Sequence, residues 1–144
     1  MSDIQTLDKE YVAHTYGRFD VAFVAGKGCH LQDESGKDYI DLGSGIGVTA
    51  FGVDDDVWAK AVTDQVHKLN HVSNLYYTQP QVELAQKICQ KTGMKKVFFS
   101  NSGAESNECA IKAARKYSRD KYGEGRHVIV TLVNSFHGRT ITTL

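Results

Sequence analysis

Residues 95–132 constrain this chain most. An apolar run, "KKVFFS", stops at a cluster of small polar residues, a long helical pattern follows, and a β-branched run, "RHVIVTL", comes after Gly123 and Gly125. The apolar runs predict strands at about 95–100 and 126–132. Between them Ala110, Ala113, Ala114 and Tyr117 fall on one face of a helix predicted at about 103–121. Strand, helix and strand with short links make a βαβ unit, whose strands are parallel and joined by a right-handed crossover. The fold class is therefore α/β. Ligands of such sheets bind beyond the carboxyl ends of the strands. "SNSGAE" and "NSFHGR" follow those two ends and are expected to face one crevice.

Upstream the texture differs. Residues 21–51 are punctuated by glycine, and "HLQDESGKDYIDL" reads as two short strands around a turn at Glu34–Lys37, part of a small antiparallel meander. "GSGIG", residues 43–47, fits no dinucleotide fingerprint and opens no helix, so it reads as a tight or flexible loop. Three aspartates before Val57 suit the positive end of a helix at about 56–69, with Trp58, Ala61, Val62, Gln65 and Leu69 at helical spacing. In the aromatic loop at 71–77, Tyr76 and Tyr77 fit a core, a pocket rim or a subunit interface equally well. Thr78, Pro80 and Gln81 then predict a second helix start with a capping box, Val82, Ala85, Ile88 and Cys89 its apolar stripe, and Gly93 its stop.

Bulk properties narrow the partners. With 41% hydrophobic and 24% charged residues among 144, the composition is that of a globular protein. Seventeen basic and seventeen acidic side chains cancel, which argues against nucleic acid or an anionic membrane as partner. No apolar run approaches the ~20 residues that span a bilayer. "MSDIQTLDKE" has no apolar core of a secretory signal. Three cysteines without a CxxC pair read as buried free thiols in a reducing, cytoplasmic setting, and six histidines without ligand spacing give no metal site. The chain closes on a β-branched run with no polar tail, which reads as an interruption part-way through a larger fold.

Two motifs carry chemistry. Ser102 and Glu105 have capping-box spacing, which alone explains "SGAE" as a helix start. The same geometry turns the first-turn amides of Gly103 and Ala104 outward with the helix dipole, where the small side chains leave room for an anion such as phosphate. Spacing alone leaves these two readings equally open. In "SFHGR", Phe136 offers a flat surface for a planar ring and Arg139 a bidentate fork for a carboxylate. The plainer alternative is a core phenylalanine and a solvated arginine. His137 is expected to order the loop.

"FFSNSGAESNECAIKAARKYS" with "NSFHGRT" resembles the class-III ω-amino-acid aminotransferases that use pyridoxal 5′-phosphate. "GKGCHLQDESGKDYIDLGSGIGV" and "NHVSNLYYTQPQVELAQKI" match the same family, so the resemblance runs from about Tyr11 onward. It implies the N-terminal portion of the fold-type-I transferase fold. Residues 1–52 would belong to the small domain and 53–144 would begin the large cofactor-binding domain. Gly103 and Ala104 would bind the cofactor phosphate, Phe136 would stack on its ring, and Arg139 would bind the substrate α-carboxylate. The family's cofactor-bound lysine and the aspartate that pairs with the ring nitrogen are expected downstream of Leu144. No catalytic residue is therefore expected within these residues, and the chain by itself is expected to be inactive. The resemblance further implies a homodimer, with N-acetylornithine as the favoured donor and 2-oxoglutarate as acceptor. Succinylornithine, ornithine and 4-aminobutyrate are the alternative donors, and a non-catalytic phosphate-binding module is the alternative of another class.

Overall fold

A computed structural model describes residues 3–144, which divide into two compact units, one up to Ser73 and one from Asn74 to Leu144. The first opens with α1 (Asp3–Tyr11), a helix not predicted from the polar N-terminal sequence. Strands β1 (Phe23–Lys27), β2 (His30–Asp33) and β3 (Asp38–Ile40) form the predicted antiparallel meander in the order β1-β2-β3. Asp33 holds its turn. Its carboxylate accepts from the Ser35 hydroxyl at 2.6 Å, the Ser35 amide at 2.9 Å, the Lys37 amide at 3.0 Å and the Tyr39 hydroxyl at 3.0 Å. Phe23 meets Tyr39 edge-on across the sheet, ring centroids 5.3 Å apart.

"GSGIG" is not a featureless loop. It forms the one-turn segment α2 (Ser44–Gly47), in which Gly45 and Ile46 take left-handed conformations at φ 58° and 59°. Asp41 fastens its start by accepting from the amides of Gly43 and Ser44, both at 2.9 Å. α3 (Asp56–Lys68) begins as the aspartates predict, with Asp55 accepting from the Trp58 amide at 2.7 Å.

The second unit holds α4 (Gln79–Thr92) and α5 (Gly103–Tyr122). Pro80 sits in the first turn of α4, and left-handed Gly93 (φ 74°) ends it. The Thr78 capping box does not form: Thr78 makes no side-chain cap, and Gln79 instead donates to Glu83 at 2.7 Å. The predicted strands at 95–100 and 126–132 carry no ladder, because neither segment pairs with the other or with another strand among the described residues. A strand exists only with a neighbour to share its hydrogen bonds, so an apolar run is not sufficient.

The segment after α5 nevertheless turns back toward the helix start. The Ser118 hydroxyl donates to the Arg126 carbonyl at 2.7 Å near the end of α5, and Asn107 donates to the His137 carbonyl at 2.7 Å near its start. Residues 126–137 thus run back along the helix. Along α5, Ala104, Asn107, Glu108, Cys109, Ile111 and Ser118 are half-buried, while the predicted stripe of Ala110, Ala113, Ala114 and Tyr117 is exposed, with Ala110 and Ala114 lining an open cavity between the helix and the returning segment. The cysteines also differ from expectation, since Cys29 is exposed and Cys89 and Cys109 are only half-buried.

Candidate cofactor-binding site

The site is built on the first turn of α5. Ser102 caps the helix, its hydroxyl accepting from the Glu105 amide at 3.2 Å. The return half of the capping box is displaced by one residue: the Glu105 carboxylate accepts from the amide of Asn101 at 2.6 Å. This arrangement satisfies the Asn101 and Glu105 amides and leaves those of Gly103 and Ala104 without an acceptor among the described residues. A Cβ added at Gly103 would meet no atom within 4 Å, so packing inside the chain gives no reason for glycine there. Open space over two unpartnered first-turn amides is the geometry that receives a phosphate.

The second motif lies directly against the first. Gly138 is buried, and a Cβ there would stand 2.6 Å from Cβ of Ala104 and 2.7 Å from the Thr143 hydroxyl oxygen. Its φ of 139° lies outside the range that other residues readily adopt. Only glycine lets the loop come this close. The "SFHGR" segment therefore rests on the helix start, as the crevice argument predicts.

Phe136 is 76% exposed, and most large apolar side chains of this chain are exposed too, so its exposure does not by itself separate a ring-stacking surface from a core phenylalanine of a longer protein. The Arg139 guanidinium lies 5.9 Å from the Phe136 ring centroid, within cation–π range, so aromatic face and cation share one side of the loop. His137 contributes to order, as expected, through its carbonyl. Its ring Nε2 is buried without a hydrogen-bond partner among the described residues.

Four contributors escape a reading by apolar periodicity. Asn107, Glu108, Thr140 and Thr143 are polar; Asn107 and Glu108 act on partners about thirty residues away, and Thr143 acts through Thr140. Glu108 accepts from the Thr140 hydroxyl at 2.6 Å, and Thr143 accepts from the Thr140 amide at 2.9 Å. The one signal they leave in the sequence is the 3–4 spacing of Ala104, Asn107 and Glu108, which does not by itself say which side of the helix is covered.

The helix start with its open Gly103 and Ala104 amides therefore lies against the loop that carries Phe136 and Arg139. The family model described as aminotransferase class-III matches residues 11–144, and the chain belongs to that family. Aminotransferases of this class depend on pyridoxal phosphate. The chain is 56% identical over 141 residues to an acetylornithine aminotransferase from Haemophilus ducreyi, covering 98% of this chain and 36% of that protein. Among solved structures, it is similar to an acetylornithine aminotransferase from Elizabethkingia anophelis, with 33% identity, TM-score 0.79, and 85% and 32% of the two chains covered. An ornithine aminotransferase from Toxoplasma gondii gives TM-score 0.90 at 25% identity, covering 98% of this chain and 34% of that one. The chain spans about a third of the length of the curated relatives it matches.

Proposed function

We propose that this chain is the phosphate- and carboxylate-binding part of a pyridoxal-phosphate-dependent aminotransferase. The complete enzyme moves the δ-amino group of N-acetylornithine to 2-oxoglutarate in arginine biosynthesis. N-acetylglutamate semialdehyde and glutamate are the products. The observation that carries this reading is the close approach of Gly138 to Ala104, which joins an open amide cradle to the loop bearing Phe136 and Arg139. The choice of donor rests on the relatives named acetylornithine aminotransferase. Ornithine is the second reading, favoured by the likeness to the Toxoplasma gondii enzyme.

In this reading the amides of Gly103 and Ala104 donate to the phosphate, and the α5 dipole favours its charge. The Phe136 ring offers a face to the pyridine. Arg139 presents its planar fork to the α-carboxylate that N-acetylornithine, glutamate and 2-oxoglutarate all carry. Pyridoxal phosphate supplies the electron-withdrawing ring that makes the amino group transferable. The lysine that holds it comes from the remainder of the enzyme. We assign 1–52 to the small domain and 53–144 to the start of the large one. The complete enzyme is taken to be a cytoplasmic homodimer; no helix among the described residues is long and apolar enough to cross a membrane.

Arg139→Lys tests the reading in the complete enzyme. Lysine keeps the charge and loses the fork, so cofactor affinity should hold while substrate binding weakens by roughly 1.5–3 kcal/mol. Steady-state kinetics should show KM rising for donor and keto acid alike, because both present the same group. If only one rises, Arg139 is not a shared anchor. If cofactor binding fails instead, it serves the cofactor. Absence of any pyridoxal phosphate binding by the wild type would favour a non-catalytic module.

A further inference from the structure

We infer that Asn107 and Glu108 are positioning residues that set where Arg139 presents its guanidinium relative to the Gly103 and Ala104 amides. The inference rests on the proposed role of Arg139 and goes beyond it. Asn107 and Glu108 are neighbours on the covered side of α5, one turn after the cradle. Asn107 holds the carbonyl of His137 at 2.7 Å, and Glu108 holds the Thr140 hydroxyl at 2.6 Å. The two contacts straddle Gly138 and Arg139. Between them, Gly138 sits so close to Ala104 that no side chain fits. Three attachments in four residues fix this stretch of loop to the first two turns of the helix.

The Thr140 end is itself braced. Thr140 and Thr143 share a hydroxyl contact at 2.7 Å, and the Thr143 amide donates to the Thr140 carbonyl at 3.0 Å. Hydrogen bonds from Thr140 and then Thr142 hold the Glu108 carboxyl below its ordinary pKa of 4.5, so it is the ionised carboxylate that grips the loop. An arginine side chain is long and flexible, and its fork is useful only if its backbone origin is fixed. Phosphate and carboxylate are two ends of one reacting assembly. The distance between their binding groups should therefore matter more than the strength of either.

The test uses the complete enzyme with Glu108→Ala and Thr140→Val, beside the conservative Glu108→Gln and Thr140→Ser. Three quantities are measured: pyridoxal phosphate affinity by equilibrium titration, KM and kcat for both substrates, and amide hydrogen exchange across 136–141. We expect Glu108→Ala and Thr140→Val to raise both KM values about tenfold, with cofactor affinity changed by less than about threefold. Exchange should quicken at Gly138 and Arg139, and the conservative variants should restore both measures. Unchanged KM with quickened exchange would overturn the inference, as would a rise in KM accompanied by an equal loss of cofactor affinity that the conservative variants do not rescue. Arg139→Lys separates the two levels. If it leaves KM unaltered, the role of Arg139 falls; if it raises KM and Glu108→Ala does not, only the positioning role falls.

Discussion

Two glycines of the site serve opposite ends. Gly138 is required by the chain itself, since a Cβ would collide with Ala104 and Thr143 and φ is 139°. Gly103 has nothing within 4 Å of a would-be Cβ. Their substitutions should therefore part company in the complete enzyme. Gly138→Ala should loosen the loop and lower thermal stability, because neither the neighbouring helix backbone nor the φ value can yield cheaply. Gly103→Val should leave the fold largely intact and raise the dissociation constant for pyridoxal phosphate by about tenfold or more, the scale of one lost charge-assisted hydrogen bond. Ser102→Thr, which keeps the capping hydroxyl, should be mild. Thermal melts and cofactor titrations read the two effects separately. Unchanged affinity in Gly103→Val would return "SGAE" to an ordinary helix start.

Among the elements, the meander shows how a small sheet is held without a buried core. Asp33 gathers four donors at one turn, with Tyr39 reaching back from β3. The Ser35 hydroxyl, chief among them, lowers the Asp33 pKa from 3.8 to about 2. A carboxylate whose folded pKa is depressed contributes stability above its unfolded pKa and loses it as pH falls through the folded one. The contribution of Asp33 is thus full above 3.8 and disappears as pH falls toward about 2. An NMR titration of its carboxyl carbon should show a midpoint near the lower value. A midpoint near 3.8 would mean the turn is not closed by this side chain. Asp33→Asn should remove the acid transition and expose the Ser35 and Lys37 amides to faster exchange. Elements of this kind were legible because their partners lie within a few residues; the runs on either side of α5 look like strands in sequence but pair with nothing among the described residues.

For the whole molecule, the decisive quantity is surface. The chain exposes 12,734 Å² at 16.0 kDa, and no apolar side chain among the described residues is fully buried. A folded monomer of this mass exposes about 7,400 Å². Phe19, Leu42, Tyr77, Val130 and Ile141 are each at least 90% exposed. At ~25 cal/mol per Å² such surface gives a strong drive to associate. The 144-residue chain by itself should be oligomeric, aggregation-prone or marginally stable. Sedimentation velocity and a thermal melt check this. A monodisperse monomer with a cooperative, high-temperature transition would refute it.

What the sequence determined by itself was local. Helix starts at Asp55 and Ser102, stops at Gly93 and Gly123, and the turn before Asp38 follow from backbone groups that find partners within four residues. Family motifs within "SNSGAE" and "NSFHGR" were equally readable, because each is a contiguous run of particular small, aromatic and basic residues. The covered side of α5 was decided by tertiary structure alone. Asn107 and Glu108 look solvated on any hydropathy argument, and they are half-buried only because a loop thirty residues later supplies a carbonyl and a hydroxyl. The unpaired runs at 95–100 and 126–132 make the converse point. A sequence can specify an apolar strand, but the hydrogen bonds that make it one belong to a neighbour.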